Sequence, residues 1–173
     1  MKSYLVIIGA APCVKDDIAN LPVSPEACDF IAVGLDAMDK LLGRIEYMAT
    51  YHPYEIAQCR ERRTKAGGNV DYKVVSHITQ GASGSVDIVI PFKQPSGSSA
   101  LLGVLAGIKE GYRKMILCGC PLEDEVRDGR TKNYQQFRDG WKAHLDEYVG
   151  KVRSMSGWTK DFLGYPTEEW LAR

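Results

Sequence analysis

Short runs of aliphatic and β-branched residues recur along the chain, and most are separated by segments with helical spacing. Tyr4 to Ile8, Phe30 to Val33, Tyr47 to Thr50, Tyr72 to Ser76, Val86 to Ile90 and Met115 to Cys118 are mostly apolar. Short continuous apolar runs are what strands buried on both faces require. Val152 to Met155 adds a last strand. Between them, Val14 to Asn20, Ala37 to Leu42 and Tyr54 to Lys65 read as helices, the last ending at Gly67-Gly68. Tyr134, Phe137, Trp141, Leu145 and Val149 form an amphipathic stripe. Thr167 is placed to cap a terminal helix to Ala172. Glu123 to Arg130 is polar and aperiodic and reads as an exposed loop. This alternation predicts an α/β fold: a three-layer, Rossmann-like, mostly parallel sheet with helices on both faces and right-handed crossovers. Without repeats or linkers, residues 1–173 read as one domain.

The segment Pro95-Ser96-Gly97-Ser98-Ser99 leads into an apolar helix that stops at Gly111. A helix start carries unpaired amides and the positive end of the dipole, which together suit an anion. Gly97 lets a ligand approach the backbone, and Ser98 or Ser99 can cap the helix or donate a hydroxyl. Gly111 supplies the left-handed residue that ends it.

In parallel sheets, ligands sit beyond the carboxyl ends of the strands. The segments expected there are Gly9-Ala10-Ala11-Pro12, Gly34-Leu35-Asp36, Tyr51-His52-Pro53, Pro95 to Ser99 and Gly119-Cys120-Pro121. His52 follows a strand directly and is a candidate base, and His77 lies after another strand on the same rim. Against these stand ordinary hydrogen-bonded loop histidines; His144 reads as structural. Asp36 suits two roles, acceptor for ribose hydroxyls or N-cap of a helix near Ala37. Glu123-Asp124-Glu125 offers carboxylates, but such a run is usually a solvated face, and no metal is expected. Arg60, Arg62, Arg63 and Lys65 likewise read as solvated helix surface, with phosphate steering the lesser alternative.

Composition narrows the classes. The 22 basic and 22 acidic residues cancel, so nucleic acid is not an expected partner. No apolar run is long enough for a membrane span. The five cysteines, Cys13, Cys28, Cys59, Cys118 and Cys120, lack metal-ligand spacing and read as free thiols of a cytoplasmic protein. Monomer and homodimer both stay open.

Gly9-Ala10-Ala11-Pro12-Cys13-Val14-Lys15-Asp16 resembles the opening motif of the bacterial sialyltransferase-like fold and of the archaeal 6-hydroxymethylpterin pyrophosphokinase group. Ser96 to Leu101 followed by Gly111 to Leu122 is similar to their helix–strand block. The resemblance implies a nucleotide in the cleft, a cytidine monophosphate sugar or ATP, with Gly9, Ala10, Ala11 and Pro12 beside it. Gly97, Ser98 and Ser99 would meet its phosphate or ribose. The implied activity is glycosyl transfer. Residues 122–140 hold no histidine, where the sialyltransferases carry a catalytic one. The alternatives are therefore a Mg²⁺-dependent phosphotransferase on a small heterocycle and a non-catalytic nucleotide-binding module.

Overall fold

In the computed structural model, which describes residues 4–91, 98–127 and 130–173, the apolar runs pair into a seven-stranded sheet. Along β1 (Tyr4–Ile8), Leu5 and Ile7 join the core on one face while Val6 and Ile8 join the core on the other. All four are at most 1% exposed, as the two-residue period of a centrally placed strand demands. The remaining strands are β2 (Cys28–Val33), β3 (Tyr47–Thr50), β4 (Lys73–Ser76), β5 (Ile88–Val89) and β6 (Met115–Cys118). A separate ribbon, β7 (Glu125–Arg127) with β8 (Arg130–Lys132), precedes the edge strand β9 (Val152–Ser154). The order is β5-β4-β3-β2-β1-β6-β9, and every pairing within this sheet is parallel.

The chain winds from β1 out to β5 and then returns to pair β6 with the other side of β1. That reversal is a topological switch point, where the strand exits diverge and leave a crevice. The return is made by α3 (Ser99–Lys109), which crosses one face of the sheet and touches β1, β2, β3, β4 and β6. Leu101, Leu102 and Val104 are fully buried beneath it, each worth about 2 kcal/mol relative to exposure. Its closeness depends on two small residues one turn apart. A Cβ on Gly103 would lie 3.1 Å from Val33 Cγ1, and one on Gly107 would lie 2.6 Å from Met115 Sδ. The helix ends as expected at Gly111, whose φ is +90°. Gly111 N–H bonds the Ile108 carbonyl at 3.0 Å and Tyr112 N–H bonds that of Gly107 at 2.9 Å, a Schellman stop.

On the opposite face lie α1 (Val14–Ala19) and α2 (Ile56–Lys65), through Val14, Ile56 and Cys59. Beyond the switch point come α4 (Gln135–Ala143), α5 (Leu145–Tyr148), α6 (Gly157–Leu163) and α7 (Glu168–Ala172). Thr167 caps α7, its hydroxyl accepting from Trp170 N–H. Among the described residues no helix is long and apolar enough to cross a membrane.

Four local expectations need correction. Ala37 to Leu42 is not a helix; a single 3-10 turn, Leu35–Ala37, gives way to turns. Arg63 reaches into this stretch, its guanidinium donating to the carbonyls of Met38, Leu41 and Gly43; of these, that of Met38 is the one a helix over residues 37–42 would use. Arg63 is itself a correction, since it is fully buried rather than solvated. Glu123 to Arg130 contains β7 and the start of β8, paired with Arg127 opposite Arg130; an Asp-Gly pair in the sequence between them is a hairpin signal. The stripe of α4 breaks at His144, so Val149 ends up exposed while Tyr148 is fully buried, its hydroxyl on the Trp141 carbonyl. The helix α6, which opens after Ser156, has no counterpart in the sequence reading.

Candidate functional site

Beyond β1 the chain stays bonded to the exit of its parallel neighbour β6. Gly9 N–H bonds the Cys118 carbonyl at 2.8 Å, and Ala11 N–H bonds that of Gly119 at 3.2 Å. The two loops are so close that a Cβ on Gly9 would lie 2.1 Å from Gly119 O and 2.6 Å from Cys120 Sγ. The glycine at 9 is therefore demanded by loop-on-loop packing, before any ligand is considered. Asp17 fixes the arrangement from below. Its buried carboxylate accepts from Gly119 N–H and from the Ser156 hydroxyl, each at 2.8 Å, tying α1 to the exits of β6 and β9.

These loops floor a cleft of about 1130 Å³ that spans the carboxyl ends of the central strands. Such a volume lies just above the range of about 300–1,000 Å³ typical of one small-molecule site. Gly9, Ala10, Ala11, Pro12, Asp36, His52, His77, Ser98, Ser99, Gly119 and Cys120 all border it. Gly34 does not; it lies at the base of the turn that carries Asp36. Gly97 lies outside the described residues.

At the α3 side, Leu102 N–H is the first to bond back, to the Ser98 carbonyl at 3.1 Å. The amides of Ser99, Ala100 and Leu101, in the first turn, have no backbone acceptor among the described residues. Neither serine caps them. Ser99 Oγ accepts from Tyr51 N–H at 3.4 Å, and Ser98 Oγ is buried with no hydrogen-bond partner among the described residues. Ser98 has φ +100°, and Leu122 on the far wall has φ +50°. Among the described residues these are the two non-glycine positions in the left-handed half of backbone space, and both border the cleft. Holding Ser98 there costs about 1–3 kcal/mol. Ser98→Gly is expected to raise stability by about 1 kcal/mol, after the entropy cost of glycine, and to raise the urea midpoint. A lower midpoint would show that the serine side chain contributes more than the strain costs.

At the β3–β4 end stand the two histidines. His52 Nδ1 and the Tyr54 hydroxyl are 3.1 Å apart, and His77 packs against Tyr51 with ring centroids 5.0 Å apart. Burial, with a smaller contribution from the like charge of His52, holds the His77 imidazole below the ordinary histidine range. His77 is therefore neutral at pH 7, and its buried Nδ1 has no hydrogen-bond partner among the described residues. A neutral imidazole is the form that accepts a proton.

Asp36 caps no helix, because Gly34 holds the N-cap position of its turn. Instead its carboxylate meets Arg62 at 2.6 Å, and Asp39 meets the same guanidinium at 2.8 Å. Burial opposes ionisation of Asp39, but bonds from Arg62 and Lys40 outweigh it and keep the carboxyl below its ordinary range. Arg62, read from sequence as solvated surface, thus forms part of the cleft rim with Lys15 and Lys40. Asp124, in the acidic run, is held by Arg138 at 3.3 Å and accepts from Tyr134 N–H at 3.0 Å. Among the described residues no group of three His, Cys, Asp or Glu is placed to hold a metal. All five cysteines are free thiols. Burial pushes Cys59 up to about 12 and raises Cys13, Cys118 and Cys120 as well, so none of these four is an activated nucleophile.

Sequence reasoning passed over Lys15, Tyr134 and Phe137, all of which border the cleft. The signal for Lys15 was its place just after the β1 exit. The aromatic pair carried none beyond the core stripe to which it was assigned. The fold and site define an α/β protein with a ligand-sized crevice at its switch point. No known family, curated protein or solved structure matches the chain.

Proposed function

We propose that this cleft binds a nucleotide or nucleotide-sugar and that the chain is a glycosyltransferase-like α/β protein. One observation carries the reading. Ser98 Oγ and His77 Nδ1, two buried polar atoms without partners among the described residues, belong to residues that line one cleft, together with Ser99 and Ala100 at the start of α3. Buried polar atoms left unpaired cost about 1–3 kcal/mol each, and a ligand that pairs them recovers that cost. The likeness of residues 9–16 and 96–122 to the sialyltransferase-like blocks supports the same ligand class.

The chemistry would be displacement at the anomeric carbon. The acceptor hydroxyl gives its proton to neutral His77 or to His52, its oxygen bonds the anomeric carbon, and the bond to the donor phosphate breaks. The charge that develops on the departing phosphate falls to the Ser98 hydroxyl and the first amides of α3, whose dipoles are already aligned.

Thermal denaturation with CMP, UDP, ATP and GTP, each with and without Mg²⁺, tests the reading. A nucleotide present at 100 times its Kd is expected to stabilise the fold by about 2.7 kcal/mol. Stabilisation by CMP or UDP without metal supports the glycosyl-transfer reading. Stabilisation by ATP only with Mg²⁺ overturns it in favour of phosphoryl transfer. Binding with no turnover of any nucleotide-sugar reduces the chain to a binding module. No stabilisation by any of the four rejects the nucleotide cleft itself.

A further inference from the structure

The exits of β4, β3, β2, β1 and β6 follow one another across the cleft, so its contents can be placed along one axis. Neighbouring strands lie about 4.8 Å apart, which puts the β3 exit about 14 Å from that of β6. The unpaired polar atoms and the start of α3 stand at the β3–β4 end, where Ser99 Oγ meets Tyr51 N–H. The β6 end is of different chemistry. There α4 presents Tyr134 and Phe137, rings half-buried with centroids 5.8 Å apart, and both border the cleft.

This aromatic wall is braced. Arg138 donates from Nε and Nη2 to the Leu122 carbonyl at 2.9 and 2.6 Å, and its guanidinium lies 5.7 Å over the Trp158 ring. The fork holds α4 to the β6 exit at the residue whose φ is +50°. Aromatic side chains usually bury their faces in the core, as Trp141 of the same stripe does; here two rings border the cleft instead. An elongated ligand fits such a cleft with its anionic end at α3 and a flat apolar end at α4.

Resting on the nucleotide reading above, we infer that Tyr134 and Phe137 form the nucleobase platform, so the ligand lies with its base at the β6 end and its phosphate at the β3 end. Recognition by stacking tolerates any base, because every base offers a π-face. The platform therefore sets the ligand's direction and leaves discrimination between bases to other contacts. The reacting group is directed toward His52 and His77, at the far end from the platform.

Calorimetric titration of CMP, AMP and ribose 5-phosphate into the wild type, Phe137→Ala and Phe137→Leu tests this. Phe137→Leu keeps an apolar side chain of similar bulk and removes only the π-face, so a folded variant is secured. The wild type is expected to bind both nucleotides about tenfold or more tighter than ribose 5-phosphate. Both variants are expected to lose about tenfold for the nucleotides while ribose 5-phosphate changes by less than about twofold. Unchanged nucleotide affinity in both variants, or an equal loss for all three ligands, overturns the platform and leaves the nucleotide reading standing. Failure of the wild type to bind any of the three rejects both.

Discussion

A methyl group at residue 9 is expected to remove about 3 kcal/mol or more of stability, and the cleft with it. The Cβ of Gly9→Ala would stand 2.1 Å from a backbone oxygen, that of Gly119, in a segment that cannot turn aside as a side chain could. The β6 exit is pinned by the bond from Gly119 N–H to Asp17 and by the packing of its α-carbon on Val14. The β1 exit is pinned by two bonds back to Cys118 and Gly119. One pair of anchors must break for the methyl group to fit. Urea denaturation read by circular dichroism measures the loss, and any ligand found for the wild type should fail to stabilise the variant. A change below about 1 kcal/mol would mean that the two loops are not held as closely as their bonds require.

Replacing Arg63 by methionine is expected to cost about 3–5 kcal/mol. The guanidinium is wholly buried and faces no carboxylate among the described residues; it is held by the carbonyls of Met38, Leu41, Gly43 and Asn69. Burial lowers its pKa, with Tyr72 opposing that slightly. Methionine fills much of the space but leaves those oxygens without donors, and each orphaned acceptor costs about 1–3 kcal/mol where it stays buried. The residues set loose would be those from 38 to 43, which include Lys40 on the cleft rim. Lysine should not rescue, because one ammonium cannot reproduce the planar fork. Hydrogen exchange should show faster exchange in residues 38–45 of the variant, beyond what its lower global stability explains. A loss below about 1 kcal/mol would show that water satisfies the carbonyls in place of the side chain.

What could be read from the chain divides by the range of the interaction that decides it. The strand runs were legible because a strand covered on both faces must be apolar at every position, and Val6-Ile7-Ile8 leaves no other reading. The caps at Gly111 and Thr167 were legible because their chemistry is complete within a few residues. Ala37 to Leu42 was not, because the residue that claims its carbonyls arrives from α2, more than twenty positions later. Arg62 and Arg63 are adjacent and chemically identical, so composition gave no sign that one would reach a cleft rim and its neighbour a buried cage. Tyr134 and Phe137 share the period of Trp141, yet Trp141 is sealed in the core while the other two border open space. The strand-exit rule located the cleft because it depends on connectivity, which alternating elements already disclose. It could not supply Asp17 or Arg138, whose partners lie on other elements.

The floor of the cleft joins two loops that lie about 110 residues apart in the sequence. Until β6 has been synthesised and has found β1, no crevice exists for a guest to occupy. A guest can thus reward only the late, long-range closure of the chain and not the earlier pairing of β1 through β5. During biosynthesis the amino-terminal two-thirds would have to survive without help from a bound molecule.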